Sequence, residues 1–501
     1  MGCKMSVKAV PKTWVIVDDD GEADFNAIQD AINNATSGDT IFVRMGIYYE
    51  HVIINKSISL VGEDSGSTIV DGNRTGNVIS ILTANNVIIE GLMMQRSGTN
   101  PDNYGIFVSH SSDNNISHNI ITNNYNGIGF QSSGNNVVLG NIITSNYDGI
   151  TLLASTNNVF SGNTISSNNY NGVSLTASIN NVVLGNIITS NYDGIALYAF
   201  SINNVFSGNT ISYNNLGMYF TLYSGNNIIH FNNFNNTHQV GSDSINVWDD
   251  IEGGNYWSDY LGHDLNADGI GENPHVIDEN NRDNHPLMGL FSAFNIVLER
   301  ETYHVTTICN STISEFRFEI GKETGNKIIR FNVTDRNGAV GFCRVTIPTE
   351  LMNYPFIVIV DGEEISPTFL DTANETLYFT YILSNRTITI ISSKVQHLYH
   401  ELLDEYKKLQ IDLYNLNATY YDLLNNYGLL LSNYSSLQNS YYELNTSYLE
   451  HLLDYSKNIH NIRNLMYIFA STTAIFIITT IYLSKSAHER KIRTPISASE
   501  S

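Results

Sequence analysis

A repeat with a period of 21 to 23 residues runs from residue 114 to residue 236 and constrains the fold more than any other feature. Each unit contains an adjacent Asn pair, a short β-branched run, a further Asn and a polar turn that ends in Gly. Separate hairpins would not keep Asn in constant register, whereas a solenoid places each unit over the next at about 4.8 Å. We therefore predict stacked coils of short parallel strands. The pairs begin at Asn114, Asn135, Asn157, Asn180, Asn203 and Asn226, the further Asn falls at Asn119, Asn141, Asn163, Asn186, Asn209 and Asn232, and the glycines are Gly127, Gly149, Gly172, Gly194 and Gly217.

The repeat also predicts what lies inside the solenoid. The stretch NNVVLGNIITSNYDGI occurs at 135–150 and again at 180–195, which indicates structurally interchangeable units. Stacked Asn side chains exchange amide hydrogen bonds from coil to coil. We expect an apolar stack inside the coils, formed by Val137, Val159, Val182 and Val205.

The segments around the repeat predict two caps. An amphipathic helix from about Asp24 to Asn34 is expected to cover the open end of a β-helix that spans 13–240. Residues 241–294 are rich in Trp, Tyr, Gly and Asp and are predicted to cap the other end. Residues 1–12 contain no apolar run that would serve as a signal peptide, so we interpret them as the remnant of a truncated or misassigned start.

Three further segments follow the solenoid. Residues 295–393 alternate polar and apolar in short strands, which predicts an immunoglobulin-like β-sandwich. Residues 394–460 carry a Leu/Tyr heptad, which predicts a coiled-coil stalk of roughly 80 to 90 Å and a homo-oligomer. The uncharged run 465–483 predicts one transmembrane helix, and the basic tail 484–501 places the C-terminus in the cytoplasm and the rest outside.

Charge restricts the partners. Acidic residues outnumber basic ones 49 to 25, and no Lys or Arg lies between Arg96 and Arg282. Phosphate binding needs clustered cations, so nucleic acid is excluded as a partner and an anionic polysaccharide is disfavoured. A neutral glycan, a cation or another surface protein is expected instead.

The segments WVIVDDDGEADFNAIQDAINNATSGDTIFVRMGIYYE, the NNV/GN coils and GNYWSDYLGHDLNADGIGENPHVIDENNRDNHPLM resemble the NosD-type β-helix family. Related domains are called carbohydrate-binding and sugar-hydrolase repeats, and pectate lyases share their fold. The resemblance covers about 13–290 and implies a right-handed parallel β-helix. With its stalk and anchor, the chain looks like archaeal surface versions of the family. The family name also implies copper-site maturation, but copper needs clustered Met, Cys or His, and this solenoid has few.

One tyrosine precedes the polar turn in each of four coils. If the rings point outward, they form an aromatic strip beside Asn171 and other amides, which suits stacking on neutral sugars. The alternative is a ladder of mutually stacked rings that stiffens the solenoid. The candidate ligand-binding residues are Tyr125, Tyr147, Tyr170, Tyr192 and Asn171.

Asp148 and Asp193 occupy the same turn position two coils apart, hence about 9.6 Å from one another. A glycosidase needs two carboxylates roughly 5 to 9.5 Å apart, so this pair is the candidate catalytic set of a hydrolase. Asp before Gly is also ordinary turn chemistry, and we favour binding without catalysis. A lyase is excluded because the coils offer no cationic base.

DLNADGIGE has the alternating oxygen side chains of a calcium loop, with His275 where the bidentate Glu would stand. A structural calcium ion is one interpretation, and an Asx-rich turn held by its own hydrogen bonds is the other. The candidate ligands are Asp264, Asn266, Asp268 and Glu272.

Two covalent features fit export. Cys309 and Cys343 lie in one segment and would be either bridged or two buried free thiols. Twelve Asn-x-Ser/Thr sequons precede the membrane segment, although an Asn-rich chain also makes sequons by chance. They begin at Asn34, Asn55, Asn73, Asn115, Asn235, Asn310, Asn332, Asn374, Asn385, Asn417, Asn433 and Asn445.

Three functions follow from these patterns. We expect a membrane-anchored surface protein that binds carbohydrate or serves as an envelope scaffold. The alternatives are a membrane-tethered glycoside hydrolase and a copper-maturation accessory.

Overall fold

The computed structural model describes residues 14–335, 340–371, 373, 375–392, 394–431 and 438–491. The chain divides into two compact units, Met1–Leu398 and Tyr399–Ser501. The N-terminal remnant and the end of the basic tail lie outside the described residues.

Short strands and one helix build the first coils. In chain order they are β1 (Trp14–Val17), α1 (Ile28–Asn34), β2 (Thr40–Val43), β3 (Gly46–Tyr48), β4 (Val52–Ile54), β5 (Ser59–Gly62), β6 (Thr68–Asp71), β7 (Ile79–Leu82), β8 (Ile88–Glu90), β9 (Met93–Gln95) and β10 (Tyr104–Ser109).

The repeated coils and the end cap follow the same plan. Their strands are β11 (Asn115–Ser117), β12 (Ile120–Thr122), β13 (Asn126–Gln131), β14 (Val137–Leu139), β15 (Ile142–Thr144), β16 (Asp148–Leu153), β17 (Val159–Ser161), β18 (Thr164–Ser166), β19 (Asn171–Thr176), β20 (Val182–Leu184), β21 (Ile187–Thr189), β22 (Asp193–Tyr198), β23 (Val205–Ser207), β24 (Thr210–Ser212), β25 (Leu216–Phe220), β26 (Ile228–His230), β27 (Asn233–Asn235), β28 (His238–Ser242), β29 (Tyr256–Trp257), β30 (His275–Val276) and β31 (Arg282–Asp283).

Three parallel sheets form the walls of a right-handed β-helix, as predicted. Their orders are β1-β2-β5-β8-β11-β14-β17-β20-β23-β26, then β28-β25-β22-β19-β16-β13-β10-β7-β4, then β29-β27-β24-β21-β18-β15-β12-β9-β6-β3. Every third strand pairs with the strand of the next coil, so equivalent positions of successive units stack. The 21- to 23-residue period is therefore one coil.

The apolar stack inside the coils differs from the prediction by one residue. Val137 and Val159 pair in register but are half-buried, whereas their neighbours Val138 and Phe160 are fully buried. Because successive strand side chains face opposite sides, a one-residue offset exchanges inside and outside. The interior column of this sheet is Ile116, Val138, Phe160, Val183, Phe206 and Ile229. Each such side chain contributes roughly 1.5–3 kcal/mol by leaving water.

Buried asparagines line the corners of the coils in three ladders. In the ladder that begins at Asn119, its Nδ2 donates to Asn141 Oδ1 at 3.1 Å, and Asn141 Nδ2 donates to Asn163 Oδ1 at 3.0 Å. The first Asn of most pairs takes a positive φ, as at Asn135, and the second enters the ladder, as at Asn136. The sequence predicted two of the ladders and missed the third, which comprises Asn124, Asn146, Asn168, Asn191, Asn214 and Asn236.

The N-terminal cap is the predicted helix in a shorter form. Helix α1 begins at Ile28 because the carboxylate of Glu50 accepts the backbone N–H groups of Ile28 and Gln29 at 2.8 and 2.9 Å. At the other end, Lys56 Nζ donates to the carbonyl groups of Ile32 and Ala35, both at 3.0 Å. The negative charge of Glu50 at the N-terminus of α1 and the positive charge of Lys56 at its C-terminus both match the helix dipole. Residues of the solenoid therefore determine where the cap helix begins and ends.

The C-terminal cap is built around two indoles and one carboxylate. Trp248 and Trp257 are buried with ring centroids 5.8 Å apart. Asp283 accepts Trp257 Nε1 at 2.8 Å and the Asn255 amide at 2.7 Å. Burial raises the pKa of Asp283 to about 6 although these donors oppose the shift.

The segment after the cap is a β-sandwich of two five-stranded antiparallel sheets. Their orders are β32-β33-β36-β40-β39 and β34-β35-β41-β37-β38. Alternate residues of both sheets form a separate apolar core that includes Val305, Phe331, Val345 and Ile390. The strands are β32 (Leu290–Leu298), β33 (Glu301–Cys309), β34 (Thr312–Ile320), β35 (Lys327–Thr334), β36 (Val340–Thr346), β37 (Phe356–Val360), β38 (Glu363–Ile365), β39 (Thr368–Phe369), β40 (Thr376–Ile382) and β41 (Arg386–Ser392).

Cys309 and Cys343 are free, buried thiols that face each other on β33 and β36. Cys309 Sγ lies 3.2 Å from Tyr381 Oη, which donates to Ser311 Oγ at 2.9 Å. Burial raises the pKa of the Cys343 thiol. Of the two interpretations of this pair, the structure contains the free thiols.

The C-terminal unit consists of two helices, α2 (Lys394–Leu431) and α3 (Gln438–Lys491). The rings of Tyr420 and Tyr448 stack at 4.5 Å, and Leu402 of α2 shares a cavity with Met466 of α3. The two helices therefore run antiparallel within this chain. The coiled-coil stalk stays a prediction. Helix α3 contains a stretch, Leu444–Ile481 with mean hydropathy 1.6, that is long and apolar enough to cross a membrane.

Candidate functional site

The four predicted tyrosines form a ladder on the outer side of the sheet that contains β13, β16, β19 and β22. Tyr125 and Tyr147 have ring centroids 5.0 Å apart, Tyr147 and Tyr170 5.6 Å, and Tyr170 and Tyr192 5.8 Å. Interplanar angles of 19 to 29° make all three pairs stacked. The coil spacing brings the rings together, because each tyrosine stands directly before its strand.

Mutual stacking changes what the ladder can bind. The facing sides of neighbouring rings cover each other, so only edges and hydroxyl groups are open along its length. At the two ends of the ladder, one face of Tyr125 and one face of Tyr192 have no tyrosine of the ladder stacked on them. Sugar rings that stack on aromatic side chains need such a face. The predicted strip of four outward faces is therefore reduced to its ends.

Tyr125 opens onto a groove of about 590 Å³, which we call the Tyr125 groove. Its walls include Arg74, Arg96, Gly98, Tyr125, Tyr147 and Asn169. This volume is within the range typical of small-ligand sites. Sequence reasoning missed the groove because Arg74 and Arg96 precede the repeat and reach the ladder only through the coiling of the chain.

The two arginines of the Tyr125 groove differ in their partners. Arg96 Nε donates to Asp71 Oδ2 at 2.6 Å, and Gln95 Nε2 donates to the same oxygen at 2.7 Å. Burial tends to raise the pKa of Asp71, but the bonds from Arg96, Asn73 and Gln95 lower it overall. Arg74 is exposed, and its guanidinium has no ion pair or hydrogen bond within the described chain.

Asn and Asp alternate in a column beside the tyrosine ladder. Asn126, Asp148, Asn171 and Asp193 occupy equivalent positions of successive coils. Asp148 Oδ1 accepts both the backbone N–H and Nδ2 of Asn171 at 2.9 Å. The column thus brings together Asn171 and both candidate catalytic carboxylates.

Burial raises the pKa of both carboxyl groups of this column, and the charge of Asp148 adds to the effect at Asp193. Asn126 Oδ1 and Asn171 Oδ1 are buried without a hydrogen-bond partner. Asn171 Nδ2 donates to Asp148 Oδ1, and Asn171 pairs in register with Asp193 of the following coil.

The predicted calcium loop is held by its own backbone. Asp264 accepts the amides of Asp268 and Gly269 at 3.1 and 2.9 Å, and Glu272 accepts the Leu265 amide at 2.9 Å. Asn266 Nδ2 donates to Asp268 Oδ2 at 3.1 Å. In the described part of the chain, the one group of three or more His, Cys, Asp or Glu with donor atoms within 4.8 Å is Asp18, Asp19 and Asp20. The loop geometry matches the Asx-rich turn, and calcium binding there stays a prediction.

Comparison with known proteins identifies the solenoid. Residues 32–262 match the family model described as periplasmic copper-binding protein (NosD). The β-helix of this chain is of the NosD type. The C-terminal unit and the β-sandwich lie beyond the matched residues.

Further similarities are distant. A probable pectinesterase/pectinesterase inhibitor of Arabidopsis thaliana is 28% identical over 123 residues, or 21% of this chain and 22% of that protein. The chain thus spans about a fifth of this curated relative.

Two solved β-helix structures illustrate the fold. A polygalacturonase from Erwinia carotovora has a TM-score of 0.36 with 13% identity, over 49% of this chain and 87% of its own. PfbA, a surface adhesin of Streptococcus pneumoniae, has a TM-score of 0.33 with 12% identity, over 44% of this chain and 69% of its own. Scores below 0.5 carry no functional conclusion.

The residues of this solenoid do not fit the copper of the family description. Copper sites gather His, Cys or Met ligands. Here His110 contacts Ser109, His118 contacts Glu90, and Met94 is buried in the core. Among the described residues, no cluster offers the soft or imidazole donor set that copper needs.

Proposed function

We propose that this chain is a membrane-anchored surface protein whose β-helix binds a glycan without cleaving it. The observation that supports the proposal is that Tyr125 lines a polar groove at the end of the stacked ladder, where only one of its ring faces is covered by another tyrosine. A sugar ring can stack on the other face while groove amides and hydroxyl groups bond its hydroxyls. Rigidity of the coils reduces the ordering cost of binding.

The membrane segment of α3 suits this role. By the positive-inside rule, Lys485, Arg490, Lys491 and Arg493 place the C-terminus in the cytoplasm. The β-helix and the β-sandwich then face the outside, where glycans are found. We offer this orientation as part of the proposal.

A glycoside hydrolase remains the second candidate, supported by the raised pKa of Asp148 and Asp193. A general acid needs such a shift. However, Asp193 is only 5% exposed, and Asn171 occupies one oxygen of Asp148. Both carboxyl groups are thus poorly placed to reach a glycosidic bond.

The Tyr125 face is tested by glycan-array binding of the unit Met1–Leu398. We expect Tyr125→Ala to weaken binding at least tenfold, because the sugar ring loses the aromatic face on which it stacks. Tyr213→Ala is the matched control, because Tyr213 is 75% exposed and lies outside the ladder. Unchanged binding by Tyr125→Ala would remove the proposed site, and sugar release by wild type that is lost in Asp148→Asn would favour the hydrolase.

A further inference from the structure

We propose that the Tyr125 groove selects a glycan that carries a carboxylate, and that Arg74 binds this acid group. The inference rests on the proposed glycan-binding function and names its substrate class. It changes the expectation of a neutral glycan, which came from the absence of Lys and Arg between Arg96 and Arg282.

Charge distribution is the first support. The chain carries a formal charge of −24, with 49 acidic residues against 25 basic ones. Nevertheless, the described residues that line the Tyr125 groove include two arginines and no Asp or Glu. A chain with this net charge repels an anionic ligand over most of its surface, so a groove lined by arginine without Asp or Glu favours an acidic sugar locally.

The second support is that the two arginines of the groove differ in their partners. Asp71 is buried and neutralises Arg96, whose position is thereby fixed. Arg74 is bound to its neighbour through the backbone, with its N–H donating to the Arg96 carbonyl at 2.7 Å. This bond holds the Arg74 main chain beside the groove and leaves its guanidinium free. A planar guanidinium binds a carboxylate through two parallel N–H donors.

The aromatic face is the third support. Arg74 and Tyr125 line the same groove, so one ligand can engage both. A uronic acid has an apolar ring face for the tyrosine and a carboxylate at its edge for the arginine. A neutral hexose satisfies only the first requirement.

A matched pair of ligands tests the proposal. Full-length protein in detergent is titrated by calorimetry with a uronic acid hexasaccharide and with its carboxyl-reduced counterpart, which has CH₂OH in place of each carboxylate. We expect at least tenfold tighter binding of the acidic sugar, the ratio that one charge-assisted hydrogen bond provides. Added salt should weaken only the acidic sugar.

Arg74→Gln is the decisive variant, and Arg282→Gln is its control at an exposed arginine of the C-terminal cap. We expect Arg74→Gln to bind both sugars equally, Arg74→Lys to keep part of the preference, and Arg282→Gln to match wild type. Equal affinity of wild type for both sugars overturns the inference and leaves glycan binding in place. Failure to bind either sugar, with none bound on a glycan array, overturns both.

Discussion

At the residue scale, the column of Asn126, Asp148, Asn171 and Asp193 contains two amide oxygens, Asn126 Oδ1 and Asn171 Oδ1, that are buried without a hydrogen-bond partner. No described group donates a hydrogen bond to the Asp193 carboxylate, and Asn171, which pairs in register with Asp193, has an unpaired Oδ1. Leaving a buried acceptor unpaired costs about 1–3 kcal/mol. A proton on Asp193 would supply the missing donor, which agrees with its raised pKa.

This arrangement predicts that Asp193→Asn stabilises the protein at pH 7. The new amide can donate to Asn171 Oδ1 and removes a buried charge, so the free energy of unfolding should rise by about 1 kcal/mol. Chemical denaturation of the unit Met1–Leu398 measures it, with the exposed Glu323→Gln as control. A lower stability of Asp193→Asn would show that the carboxylate has a partner.

At the element scale, the repeat determined the strands and their stacking, because one coil must lie over the next. The repeat did not determine which face of each strand points into the core. Val137 and Val138 are both apolar, and only the geometry of the corners decides which of them is inside. The third Asn ladder had a signal, an Asn before the tyrosine of most coils, which was overlooked beside the more conspicuous pairs. The sequence contains no comparable signal for the Tyr125 groove, because Arg74 has no counterpart in the repeat.

The helices α2 and α3 predict self-association. Leu416 belongs to the heptad seam yet is 66% exposed in the single chain. A second copy would cover this seam and release water from it. We expect the full-length protein in detergent to be an oligomer by light scattering, and Leu416→Asp to lower its mass.

The control for this prediction is Tyr414→Asp. Tyr414 is 75% exposed but stands outside the seam, so its replacement should leave the mass unchanged. A monomeric wild type would mean that the antiparallel pair of α2 and α3 is the complete assembly.

At the scale of the whole molecule, carboxyl groups whose pKa values are shifted in opposite directions determine how stability depends on pH. Burial raises the pKa of Asp148, Asp193 and Asp283. For Asp71 and Asp361, burial is outweighed by hydrogen bonds from arginine and backbone groups, which lower the pKa. Asp148, Asp193 and Asp283 stabilise the folded protein in their protonated form, whereas Asp71 and Asp361 stabilise it in their ionised form. The two sets therefore change stability in different pH windows.

The raised set predicts that stability falls as pH rises from about 4 to about 6. In this window the folded protein keeps protons that the unfolded chain, with ordinary Asp pKa near 4, has released. Asp283, with a pKa of about 6, contributes roughly 3 kcal/mol to the loss, because one pKa unit is worth about 1.4 kcal/mol. Below about pH 4 the lowered set becomes protonated and stability falls again.

Urea denaturation of the unit Met1–Leu398 across pH 3 to 8 measures both slopes. Asp283→Asn should flatten the upper slope even if it lowers the overall stability, because only one of the two oxygens that accept from Asn255, Trp257 and His285 is kept. A wild-type stability that rises between pH 4 and 6 would mean that these carboxyl groups are ionised and paired in the folded protein.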